Sequence, residues 1–146
     1  VNILIHPANV DQSLKKQIVT YKVEDLAAGA DIADIPVFRL PSAAKIVEVG
    51  IIPQAASAGI DDANTSVWLV EVGSTTIANK TFNTSNTFPT AGTYEKLGDV
   101  SNGDRVEGDI VTVSVTNGTN ADTPACILQI EYIIKDEALF DTQHVV

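Results

Sequence analysis

The densest run of side chains able to do chemistry is Asp99, Asn102, Asp104, Glu107 and Asp109, interleaved with Gly103 and Gly108. Oxygen ligands at close spacing between glycines suit a hard cation such as Ca²⁺. An EF-hand loop places its acidic residues at alternate positions and closes on a bidentate glutamate, and that spacing is absent here. Asp and Asn are also the ordinary residues of β-turns. The run therefore reads as turn chemistry, with a calcium site as the alternative, and Asp61, Asp62 and Asn64 form a smaller cluster open to the same two readings.

Other reaction chemistry is harder to assemble. There is no G-x-S-x-G elbow, and the two histidines, His6 and His144, sit at opposite ends of the chain, away from any serine-bearing turn. No P-loop, G-x-G-x-x-G or Cys/His zinc cluster occurs. Paired carboxylates are available almost anywhere in so acidic a chain and discriminate nothing. The single Cys126 lies in an apolar strand and reads as a small core hydrophobe. The expectation is a non-enzyme that needs no cofactor or metal.

Charge narrows the partners. Nineteen acidic residues against nine basic ones give a net charge of -10, which disfavours a nucleic-acid backbone because phosphate binding needs clustered Lys and Arg. Lys15, Lys16 and Arg39 are too sparse to reverse this. No apolar run is long enough to span a bilayer, and the N-terminus lacks a basic segment followed by an apolar one, so no membrane partner is expected. Sequons at Asn64, Asn79, Asn83 and Asn117 are what a Thr- and Asn-rich chain generates by chance.

The elements that must position these residues are strands. Val111, Val113 and Val115 alternate with Thr112, Ser114 and Thr116, and Cys126, Leu128, Ile130, Tyr132 and Ile134 run down one face of a longer strand. The two are expected to pair as neighbours. Residues 17–23 alternate in the same way, residues 24–31 read as a connecting turn, and residues 32–40 form a strand that Pro36 confines to an edge or a bulge. In residues 45–53, Val47, Val49 and Ile51 are assigned one face and Ile46, Glu48, Gly50 and Ile52 the other. Trp68, Val70 and Val72 share the core face of residues 66–72, and Gly73-Ser74 turns that strand into residues 75–81 as a hairpin. Residues 93–97 add a short strand. About eight strands with almost no helical periodicity predict an all-β, antiparallel β-sandwich, most naturally jelly-roll-like.

At 146 residues the chain is one domain. Residues 1–14 form either a first edge strand or an arm reaching a neighbouring subunit, residues 15–135 the sandwich, and residues 136–146 a tail. Several apolar residues have no place inside such a sandwich: Ile3, Leu4 and Ile5 near the N-terminus, Ile127 and Ile133 on the outer face of the last strand, and Leu139 and Phe140 in the tail. These are the candidate partner contacts, since symmetric association buries such patches. A carbohydrate- or receptor-binding sandwich is the alternative, with Trp68, Phe82 and Phe88 as the aromatics to carry it.

The stretches VEVGIIPQA (47–55), DDANTSVWLVEVG (61–73), TIANKTF (76–82) and EGDIVTVSVTNG (107–118) resemble the small all-β structural proteins of tailed bacteriophage particles, particularly head decoration or cement proteins. The resemblance spans residues 44–132. It implies a jelly-roll-like homotrimer on the outer surface of the virion capsid, stabilising the head by non-covalent contact with the major capsid protein through terminal arms. It implies no catalytic residue.

Overall fold

The computed structural model describes residues 16–135. The expectations placed on Ile3, Leu4, Ile5, Leu139 and Phe140, on both histidines and on the terminal arm and tail lie outside the described residues. The described chain is all strand and loop, in the order β1 (Lys16–Val23), β2 (Ile32–Arg39), β3 (Ala44–Pro53), β4 (Ser66–Val72), β5 (Thr75–Phe82), β6 (Glu95–Lys96), β7 (Asp104–Arg105), β8 (Ile110–Asn117) and β9 (Cys126–Ile134).

Two antiparallel sheets face each other. One runs β1-β9-β3 with β6 and β7 on the far edge of β3, and the other runs β2-β8-β4-β5. β6 pairs with Gly50 and Ile51 and β7 with Ala44 and Lys45, so these two short pieces share one strand position. β1 pairs with β9, β2 with β8, β3 with β6 and β7, and β4 with β5, as in one long hairpin folded back over itself.

The expected pairing of the last two long strands is overturned. β8 lies in the four-stranded sheet and β9 in the five-stranded one, facing each other across the core. Alternation reports which face of a strand is buried and leaves open which strand lies beside it. The loop between them crosses from sheet to sheet, held by Thr123 bridging to Leu26 and Asp122 to Ala58.

The core is the set of inward positions of both sheets: Ile46, Val49, Ile51, Leu128 and Ile130 from one, Trp68, Val70, Val111, Val113 and Val115 from the other. Each contributes about 1.5–3 kcal/mol through burial. The face assignment in β3 needs one correction. A register shift between Ile46 and Glu48 leaves Val47 without a partner, so Ile46, not Val47, joins Val49 and Ile51 inside. Such a bulge reverses the alternation within one strand.

Pro36 lies on the outer strand of its sheet, beside a register shift, because it has no N–H to give a ladder. In the β4–β5 hairpin Gly73 takes a φ of 60°, which a tight two-residue turn of this hand requires of its first residue.

Candidate functional site

The acidic run does not converge. Asp99 accepts from Lys96 Nζ at 3.0 Å, Asp104 from Lys135 Nζ at 2.9 Å, and Asp109 from the Val106 N–H at 3.1 Å, while Asn102 Nδ2 donates to the Thr76 carbonyl at 3.1 Å. Glu107 points into solvent. The Lys135 ammonium holds the Asp104 carboxyl below the usual carboxylate range. Asp61 Oδ1 accepts from the N–H groups of Ala63 and Asn64 and from the Asn64 amide, which lowers its pKa and closes a local turn. Among the described residues no group of three or more His, Cys, Asp or Glu is arranged to hold a metal ion.

The aromatics proposed for sugar recognition lie inside. Trp68 and Phe82 are fully buried and Phe88 nearly so, with Phe82 and Phe88 edge to face at 4.9 Å between ring centroids. Trp68 Nε1 donates to Ser66 Oγ, Ser66 Oγ to Asn117 Oδ1 at 2.7 Å, and Asn117 Nδ2 to Thr123 Oγ1 at 3.1 Å. This interior chain of hydrogen bonds satisfies the indole and occupies the Asn117 side chain, which makes that sequon a structural residue. Cys126 is buried, and desolvation pushes its thiol up to about 12, so it is a poor nucleophile.

What remains is a surface. Ile127 and Ile133 are half-buried on the outer face of β9, and the strand register shows what surrounds them. Ile133 sits between Lys16 and Lys45, Glu131 between Ile18 and Glu48, Gln129 between Thr20 and Gly50, and Ile127 between Lys22 and Ile52. Ile18 is 56% exposed. Lys16 pairs with Glu131 at 3.2 Å, and the Tyr94 ring lies over Gly50 with its hydroxyl donating to Glu48 at 2.7 Å. Burial and that hydrogen bond push the Tyr94 hydroxyl up. Ile18, Ile52 and Tyr94 were not among the sequence candidates. Alternation puts Ile18 and Ile52 on the outward side of their own strands, but only the register of β1 and β3 on β9 and the packing of Tyr94 on Gly50 gather them beside Ile127 and Ile133.

A second apolar feature lies on the flank where β1 and β2, the edge strands of the two sheets, run side by side. It is a groove of about 200 Å³ whose wall joins the apolar Tyr21, Val23, Leu26, Ile32 and Ile35 to Lys22 and Glu24, an ion pair at 3.8 Å.

No family model matches the chain, and no curated protein matches its sequence. Among solved structures, the chain is similar to one from the "Cyanophage Pam1 capsid asymmetric unit", with a TM-score of 0.49 and 15% identity, covering 82% of this chain and 85% of that one. A likeness so distant carries no argument about function.

Proposed function

We propose that the chain is a non-enzymatic structural protein of a virus particle, a decoration or cement protein that binds the major capsid protein non-covalently on the outer surface of a phage head. The observation that carries this reading is the outer face of the five-stranded sheet, where Ile18, Ile52, Ile127 and Ile133 stand on a rigid body outside its core. Aliphatic side chains gathered on one sheet face are what association buries. The resemblance of residues 44–132 to decoration proteins supports the reading further. The nested strand pairing supports a jelly roll, the eight-position form of such sandwiches. Three copies about one axis would multiply weak contacts with the shell into firm attachment. Carbohydrate recognition has less support, since Trp68, Phe82 and Phe88 lie inside.

Imaging of purified particles is expected to show this chain on the shell in threefold clusters, and light scattering to give a trimer at micromolar concentration. Bare shells together with a clean monomer overturn the proposal.

A further inference from the structure

We infer that residues 1–5 return as an extra strand on the outer edge of β1, antiparallel to it, and fill the groove between the two sheets with Val1, Ile3 and Ile5.

The two flanks of the sandwich differ. On one, residues 95–105 stitch the sheets together: the Leu97 N–H donates to the Val49 carbonyl on β3, and the Ser101 N–H to the Ile77 carbonyl on β5. On the other, no strand among the described residues lies beyond β1 or β2. Eleven hydrophobic residues among those described pack against the core while staying half-buried, and seven of them lie on β1, on β2 or in the turn between. The core thus reaches solvent along this flank, at the groove.

Of the two edges, β1 is the one fit to take a strand. β2 carries Pro36, two register shifts and Asp34 at a φ of 50°, all of which interrupt a row of backbone donors and acceptors. β1 pairs with β9 in unbroken register from Lys16 to Val23. Every second N–H and C=O of β1 therefore points away from β9 in an even row.

Spacing and reach select the occupant. Val1, Ile3 and Ile5 alternate with Asn2 and Leu4. Placing Ile3 opposite Tyr21 sets Val1 against Val23 and Ile5 against Val19, so all three join the inward face of β1. A shift of two residues either way sets one of them against Gln17 or Asp25 instead. Residues 6–15 span up to about 33 Å, and Tyr21 stands about 17 Å along β1 from Lys16, so the return is within reach. It is too short for the crossover that a parallel pair needs. Leu139 and Phe140 leave from the same end, where Ile133 meets Lys16. Extended from Lys135 they cover about 17 Å of the roughly 23 Å to Tyr21. Val145 and Val146 are adjacent, so one faces away from the groove whenever the other faces it.

Amide hydrogen exchange followed by NMR on the full-length chain tests this. With a strand on its outer edge, β1 should protect every amide of residues 19–23, whereas a bare edge protects only every second one. Ile3→Asp with Ile5→Asp should speed exchange of the outward-pointing set by about tenfold or more and leave the set facing β9 slow. An outward set that is already fast in the wild type, or one that stays slow in the double variant, overturns the inference. In a Cys126→Ala background, Ile3→Cys with Tyr21→Cys should oxidise to a disulfide within one chain, and Ile3→Cys with Thr20→Cys, on opposite faces, should not. Links between chains, or equal yields from the two pairs, overturn the return of residues 1–5 onto their own β1.

Discussion

Cys126 sits at the start of β9 with no solvent exposure, and its burial raises the thiol to about 12 from an ordinary 9.0. Between those two values the unfolded chain has given up a proton that the folded chain keeps, so stability falls as pH rises. The full gap corresponds to roughly 4 kcal/mol. Tyr132, raised by its own burial, steepens the fall above its ordinary 10.0. Cys126→Ala should cost about 1 kcal/mol near neutrality through the missing sulfur, yet flatten the decline between pH 9.0 and 10.0. Urea unfolding at stepped pH measures both, and an unchanged slope would show that the thiol plays no part. At this scale much was readable: an isolated Cys or Trp flanked by alternating aliphatics is a core residue. The partners of Ser66 were not, because Asn117 lies 51 positions away and only the fold brings them together.

Elements were legible wherever one face was apolar and the other polar, as in β8 and β9. They became ambiguous where both faces were apolar, as in β3. There the bulge at Val47 restores the inward phase, and Gly50 leaves room on the outer face that the Tyr94 ring fills. A Cβ at position 50 would stand 2.3 Å from the Tyr94 ring. Gly50→Val should therefore force Tyr94 off the sheet and break its bond to Glu48, at about 1–3 kcal/mol. In a Tyr94→Ala background the same valine meets no ring, and its preference for strands should make it neutral or stabilising. Denaturant midpoints of the four chains decide it, and equal costs in both backgrounds would remove Tyr94 from the account.

The nested pairing shapes how the whole molecule forms. In the β4–β5 hairpin, Val72 meets Thr75 within three residues, whereas pairing β1 with β9 brings Lys16 to Ile133, a separation of 117 residues. Loop closure over the longer span costs roughly 3 kcal/mol more. The sequence held both strands of that outermost pair but not their partnership, since nothing local distinguishes a neighbour in the sheet from a strand across the core. Refolding of the monomer at high dilution should accordingly fall in the millisecond-to-second range of sandwiches dominated by distant contacts. Val70 on β4 and Val23 on β1 are both buried, so valine-to-alanine changes remove the same methyl groups at the two ends of this order. Val70→Ala should slow folding, because the hairpin and the strands it packs against form early. Val23→Ala should leave the folding rate nearly unchanged and speed unfolding, because β1 docks after the transition state. Stopped-flow chevrons of the two variants separate these cases, and a Val23→Ala that slows folding as much as Val70→Ala would mean that the outermost pair is already formed at the barrier.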